Sequence, residues 1–366
     1  MKNCLGIEIG HYRVKIAYIE KGELREFISR RIEGVEHPDM RPYADLIKDL
    51  LKEYSIRCRR VVFVIHQEDA YVRRFELPLM TEEQLRLNLP YEFHDYIGNE
   101  MERYIFDYAM IHRDEDKMEI IGAACTKELS QYFQKLAKMA RLKLVGLVPE
   151  VLGLERILER AEEYEAEEAE ALALRSASED GKGSEKETDA VLPGDGKETA
   201  KAKADGVKPG RKDYAILDLG TKTMRIHFFR RGIYDITRTM EPGCEEIERI
   251  RSGDREKISK LGIEPEEENR DEAEQLKWEA VMEEQYRTRA VQIMRVLNFY
   301  SFNNTDNTID SLYYCGGGAH YKELIAMLDE TLELPVLSVA ELLPEMDLEA
   351  EDEWIDSPQT YGVLLA

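Results

Sequence analysis

No cysteine in this chain has a partner at a spacing that suggests a disulfide or a metal knuckle. The five (Cys4, Cys58, Cys125, Cys244, Cys315) are odd in number and scattered, each in or beside an apolar run. That pattern excludes a disulfide scaffold and points to reduced core thiols in a cytosolic protein. Positive charge is also scarce. Against 75 acidic residues there are 51 Lys and Arg, a formal charge of −24, which argues against nucleic acid or anionic lipid as a direct partner. The opening MKNCLGIEIG has no apolar signal core, and no run approaches the length that spans a bilayer. The expectation is a soluble chain with no direct membrane insertion. What is present is a 43% hydrophobic content over 366 residues, enough for two domains with sizeable cores.

The most informative feature is said twice. Within residues 213–236, DYAILDLGTKTMRIHFFRRGIYDI, and residues 5–28, LGIEIGHYRVKIAYIEKGELREFI, the stretches 215–236 and 5–26 align without a gap at a constant offset of 210. Glu8 falls on Asp218, Gly10 on Gly220, Val14, Ile16 and Tyr18 on Met224, Ile226 and Phe228, and Gly22 on Gly232. A shared acid, two shared glycines and a shared alternation phase indicate an internal duplication of a strand–turn–strand unit. An acid at a strand end, followed two residues on by glycine, is compatible with an ordinary hairpin turn. It is equally suited to an anion site, because glycine lets a phosphate approach the backbone closely. Two such turns could clamp a polyphosphate, their carboxylates holding a hydrated Mg²⁺.

The rest alternates helix and strand. Pro42 opens a helix with Leu46, Ile47, Leu50, Leu51 and Tyr54 on one face. VVFVI (61–65) reads as a buried strand. Thr81 to Gln84 is a capping-box signature opening a helix that Pro90 kinks or divides. Two strands form a hairpin around Asp114–Asp116, Thr126 caps a further helix, and a strand and the helix after Pro149 close the first half. Residues 165–212 carry almost no aromatics and, after Leu174, no periodicity. They are read as a disordered charged linker, although their first part is able to continue the helix. The second half repeats the hairpin, continues through charged helices over 244–300, and runs a strand (SLYYC) into Gly316, Gly317 and Gly318. The predicted domains are therefore 1–164, with a small extra subdomain at about 66–140, and 213–366.

An acid-x-Gly hairpin, a connecting helix, a second acid-x-Gly hairpin and a late strand–GGGA–helix resemble the nucleotide-binding motifs of the actin-like superfamily. Within it the chain resembles the PilM family of type IV pilus assembly proteins. The match rests on LGIEIGHYRVKIAYI, VRRFELPLMTEEQLRLNLPYEFHDYI, GAACTKELSQYFQKLAKMARLKLVGLVPEVLGL, ILDLGTKTM and YYCGGGAHYKELIAMLDETLELPV. The resemblance implies an α/β, two-lobed actin-like ATPase fold with duplicated mixed-sheet domains and a small FtsA-like extra subdomain. It also implies ATP and Mg²⁺ in the cleft. Glu8 and Asp218 would act on the metal, Gly10, Lys15, Gly220, Thr221 and Lys222 on phosphates, and Gly316, Gly317 and Gly318 near the nucleoside. Glu150 matches an acidic position of the connecting segment and is the catalytic candidate.

The implied partner is the N-terminal cytoplasmic tail of a PilN-like bitopic membrane protein, holding the chain at the inner face of the cell membrane. The expected groove wall is Thr81 to Ile97, with Leu85, Leu89, Phe93 and Tyr96 as anchors, and self-association is left open. Glu8 stands where the family has Asp, His11-Tyr12-Arg13 where it has a small or hydroxyl-rich turn, and Val148 where it tends to have Asp. These departures predict weakened or lost nucleotide binding and at most a slow ATPase. The alternatives are a pseudo-ATPase adaptor and, further off, a sugar-kinase-type phosphotransferase, for which no substrate motif is found.

Overall fold

Alternating apolar residues set Cys4–Ile9 (β1), Arg13–Glu20 (β2) and Glu23–Arg31 (β3) into an antiparallel meander. This is one end of the first sheet in a computed structural model that describes residues 3–10, 12–32, 39–180, 212–251, 272–306, 309–344 and 351–365. Helix α1 (Arg41–Glu53) starts on Pro42, as read from sequence, and buries Tyr43, Ala44, Ile47, Leu50 and Leu51. Tyr54, expected on the same face, is the exposed C-cap instead. Strand β4 (Arg60–Ile65) then runs parallel to β1.

A small subdomain follows. Strands β5 (Ala70–Pro78), β6 (Tyr104–Arg113) and β7 (Lys117–Thr126) form a sheet in the order β5-β7-β6. It is covered by α2 (Glu82–Glu92) and α3 (His94–Ile97). The capping box is formed as predicted: the Gln84 amide donates to the Thr81 hydroxyl, and the Thr81 amide to the Gln84 side chain. Pro90 lies in the last turn of α2, which ends two residues later. Leu85, Leu89 and Phe93 are almost fully buried in this subdomain's core, with Leu77, Met118 and Ile120. The expectation that they line a partner groove is corrected: a two-layer unit this small needs its largest apolar side chains for its own interior. The apolar side chains α2 leaves outside are Leu87 and Tyr91, one helical turn apart.

Helix α4 (Lys127–Met139) is capped by Thr126 and packs Phe133, Leu136 and Ala137 back onto the first sheet. The inserted subdomain is therefore narrower than the expected 66–140. Strand β8 (Lys143–Pro149) completes the sheet in the order β3-β2-β1-β4-β8, and α5 (Glu150–Asp180) leaves it. Residues 165–180 of the expected linker are thus helical, whereas 181–211 lie outside the described residues. Lys212 returns to within 2.7 Å of Glu165, so the chain comes back to the place where the polar segment begins.

The second lobe repeats the first. Strands β9 (Asp213–Leu219), β10 (Met224–Arg230) and β11 (Ile233–Met240) form the same meander. Helices α6 (Glu245–Arg251) and α7 (Glu272–Asn303) cover it, and β12 (Ile309–Cys315), α8 (Lys322–Thr331) and β13 (Val336–Ser338) finish the sheet as β11-β10-β9-β12-β13. The duplication reaches the backbone itself. Lys21-Gly22 and Arg231-Gly232, 210 residues apart, both take positive φ, the hairpin-turn pattern that a right-twisted ribbon favours. The β-bulges fall at Tyr18/Ile19 and Phe228/Phe229, again 210 apart.

The chain then crosses back. Helices α9 (Glu351–Trp354) and α10 (Pro358–Gly362) pack against the first lobe. One hydrophobic cluster joins the two sheets through α5 and α10, from Ala17 and Val64 to Val151, Leu154, Ile216, Phe229, Trp354 and Tyr361. The helices cross backbone to backbone: a Cβ at Gly362 would lie 2.0 Å from the Gly153 carbonyl oxygen, and one at Gly153 2.7 Å from that of Gln359. Gly362→Ala is expected to lower unfolding free energy by at least about 2 kcal/mol, because no side chain can swing aside to accept the methyl. Urea denaturation of the two forms measures it, and an unchanged midpoint would rule out this close crossing.

Candidate functional site

The carboxyl ends of the parallel strands β1, β4 and β8 of one lobe and β9 and β12 of the other meet between the sheets, the place where open α/β sheets present a crevice. Each strand delivers a residue of the site there. Glu8 and Asp218 sit near the ends of β1 and β9. Directly opposite them on the neighbouring strands are Lys15 and Arg225, so register alone makes two cross-strand acid–base pairs. His66, Gln67 and Glu68 follow β4, Glu150 opens α5, and Gly316 follows β12.

In the first lobe, the Lys15 ammonium donates to Glu8 Oε1 and to the Asp356 carbonyl, both at 2.9 Å. The other Glu8 oxygen accepts from the Ser357 hydroxyl, from Gln359 Nε2 at 2.9 Å and from Thr360 Oγ1 at 3.3 Å. Burial pushes the Glu8 carboxyl up, but Lys15, His66 and the Ser357 hydroxyl outweigh it and hold the group below its ordinary range.

In the second lobe, Arg225 Nη1 lies 3.2 Å from Asp218 Oδ2, Nη2 donates to Glu68, and Nε lies 4.0 Å from Glu150 Oε1. Glu68 and Glu150 belong to the first lobe, so this guanidinium spans the cleft. Burial raises the Asp218 carboxyl to about 6, against the pull of Arg225 and Lys15. Glu150 accepts from the Gln67 amide at 3.0 Å and faces His66 Nδ1 at 3.0 Å. Burial would raise it, yet His66 and Arg225 hold it at about 2. A carboxylate so held is a poor base near neutral pH, which weighs against the catalytic role expected of Glu150.

The glycines divide by function. The Gly10 amide donates to the Arg13 carbonyl at 2.9 Å, within its own turn. The second turn, with Thr221 and Lys222 exposed, is braced from behind: the amides of Gly243, Cys244 and Glu245 donate to the carbonyls of Lys222, Gly220 and Thr221. Gly316 has φ +91°, and a Cβ there would lie 2.4 Å from Asp218 Oδ1. Gly318 is equally closed, by Cys244 and Leu219, whereas a Cβ at Gly317 would meet nothing within 4 Å. A cavity of ≈ 730 Å³ beside this turn is lined by Tyr314, His320, Lys322 and Ser338, and Glu8, Lys15 and Asp218 do not line it. Across the mouth of the cleft, the Tyr12 hydroxyl donates to Glu245 at 3.3 Å.

This donor set does not fit a magnesium shared by Glu8 and Asp218. Both Glu8 oxygens are engaged, and only acceptor capacity left over could serve a metal's water shell. The ammonium of Lys15, expected on phosphate, is committed to Glu8 and to the Asp356 carbonyl. Arg225, His66, Glu68 and the Ser357–Thr360 segment were not singled out from sequence. Arg225 was available there, as Lys15 displaced by 210. The others come from distant parts of the chain, with no pattern to mark them.

Comparison with solved structures gives the same architecture. The chain superposes on one from a PilM–PilN type IV pilus biogenesis complex with a TM-score of 0.68 and 16% sequence identity, covering 99% of this chain and 97% of that one. It superposes on the ethanolamine utilization protein EutJ of Carboxydothermus hydrogenoformans with a TM-score of 0.50 and 12% identity, over 100% and 90% of the two chains. No family model and no curated protein matches the sequence. The fold is the two-lobed actin-like one expected.

His66 offers a direct check on the charge network. Its Nδ1 faces Glu150 and its Nε2 faces the Ile9 carbonyl at 3.3 Å. Only the doubly protonated ring satisfies two acceptors. Burial alone would lower its pKa, but Glu150 and Glu8 raise it to about 9 from an ordinary 6.5. The resulting stabilisation is complete below pH 6.5 and is lost as pH rises through 9. Asp218 acts in a separate window, below about pH 6. Melting temperature is expected to fall between pH 6.5 and 9 in the native protein, and to be flatter there in His66→Gln. An NMR titration placing the ring pKa at or below 6.5 would refute the assignment.

Proposed function

We propose that this chain is an actin-like scaffold of the PilM kind in a type IV pilus assembly machine, and that it docks the cytoplasmic tail of a PilN-like bitopic membrane protein. The observation that carries the reading is end-to-end agreement of fold, small subdomain included, with a chain taken from a PilM–PilN complex. The chain's own surface supports it. No helix among the described residues is long and apolar enough to cross a membrane, so attachment to a membrane machine through a partner suits it. A net charge of −24 favours a tail carrying basic residues.

The docking wall is the outer side of the small subdomain. On α2, Leu87 and Tyr91 are 73% and 67% exposed and share a face at i and i+4. Tyr96 is half-exposed and carries Arg73 over its ring, 4.5 Å from the centroid. Leu87 and Tyr91 replace the buried Leu85, Leu89 and Phe93, and Tyr96 is kept, as the anchors offered to an apolar, basic peptide.

A peptide from the N-terminus of a PilN-like neighbour should bind the full chain with micromolar or better affinity in a calorimetric titration. Tyr91→Glu and Leu87→Glu should each weaken it about tenfold or more without moving the melting temperature, since neither side chain is in the core. If the peptide fails to bind the native chain, the pilus-scaffold reading falls. If it binds but both variants bind equally well, the tail docks on another face.

A further inference from the structure

We propose that Arg225 is the resident cation of the interlobe cleft, latching the two lobes together across it. Closure of this chain then needs no nucleotide.

The charges in the cleft support this. Three of the buried carboxylates lie at the strand ends and the start of α5: Glu8, Asp218 and Glu150, with side chains 3%, 13% and 1% exposed. Three cations face them. Lys15 lies on Glu8, Arg225 on Asp218, and His66 between Glu150 and the Ile9 carbonyl, with both ring nitrogens directed at acceptors. Each of these three carboxylates therefore already has a cation of the chain's own against it, and a fourth buried carboxylate, Asp356, is engaged by His320. A dication would have to displace Lys15 or Arg225 from these carboxylates, and a polyphosphate would have to displace the carboxylates from Lys15 and Arg225. Both steps break buried pairs, which is costly because the abandoned charge stays buried.

Arg225 is suited to the task by shape as well as charge. Its planar fork sets Nη1 3.2 Å from Asp218 of its own lobe and Nη2 on Glu68 of the other, while Nε, which makes no hydrogen bond, lies 4.0 Å from Glu150. A lysine ammonium at this position, a point charge on a flexible stem, could not hold the three together. Position 15 shows what the shorter-range solution does: Lys15 is the copy of Arg225 under the duplication, and its carboxylate partner is in its own lobe. The C-terminal strap adds a second tie. The Gly316 amide of the second lobe donates to the Ile355 carbonyl at 2.8 Å, and His320 reaches Asp356 at 2.6 Å. On the other side Lys15 holds the Asp356 carbonyl and Ser357 holds Glu8.

The test combines titration with Mg–ATP and amide hydrogen exchange on the full chain. The native protein is expected to show no saturable heat with millimolar Mg–ATP, and protection of residues 66–68 and 354–357 unchanged by the nucleotide. Arg225→Ser should speed exchange in both segments by about tenfold or more, and Arg225→Lys should not restore it. Glu68→Gln guards against a variant that does not fold, because Glu68 is half-exposed and its loss leaves the core intact. It should speed exchange at 66–68 a few-fold. Saturable Mg–ATP binding by the native chain, unchanged exchange in Glu68→Gln, or full recovery in Arg225→Lys would each overturn the latch.

Discussion

Carboxylates gathered at the joint between two sheets have to be neutralised, and much of this structure answers that demand. Glu8 and Asp218 come to the joint because the duplicated hairpin puts an acid near the end of its first strand. The same hairpin supplies the remedy, since its second strand carries a basic residue in the paired register position. One remedy is local and the other crosses the cleft. That asymmetry between Lys15 and Arg225 ties two similar lobes into one body.

Apolar packing acts in the same place by a different route. Helix α5 leaves the first lobe, α10 returns to it, and both lie in the cluster that contains residues of each sheet. Their crossing is closed by backbone contact at Gly153 and Gly362, which leaves no slack for side-chain rearrangement. The charged network sits at the end of this crossing, where Ser357, Gln359 and Thr360 reach Glu8 from the start of α10. Loss of packing at the glycines would therefore disturb the carboxylate as well.

The small subdomain follows a separate logic. It is inserted between β4 and α4, at a point where the second lobe runs from β12 straight into the triple-glycine turn. Its interior consumes the large apolar residues of α2, leaving Leu87, Tyr91 and Tyr96 to meet whatever docks outside. Sequence periodicity identified α2 and its capping box correctly. Which of its apolar residues would be inside was not readable, because Pro90 and the short α3 break the helical period that assigns faces.

Local signals determined much of this protein. The 210-residue offset, read from the acids, the glycines and the alternation, reappears as identical strand order, matching bulges and matching positive-φ turns. Those features depend on neighbours along the chain, so a sequence can carry them whole. The helical state of residues 165–180 was less clear, since a polar, Glu- and Ala-rich segment suits an exposed helix as well as a linker. The site was legible only in part. Glu8, Asp218, Lys15, Glu150 and the glycines are marked by motif and resemblance, but their pairing is not. That Glu8 is engaged by Ser357, Gln359 and Thr360, and that Arg225 reaches Glu68 and Glu150, depends on residues between 75 and 352 positions apart. Only the folded chain brings them within reach of one another, and the dielectric that makes their pairing obligatory exists only once the two lobes have closed over them.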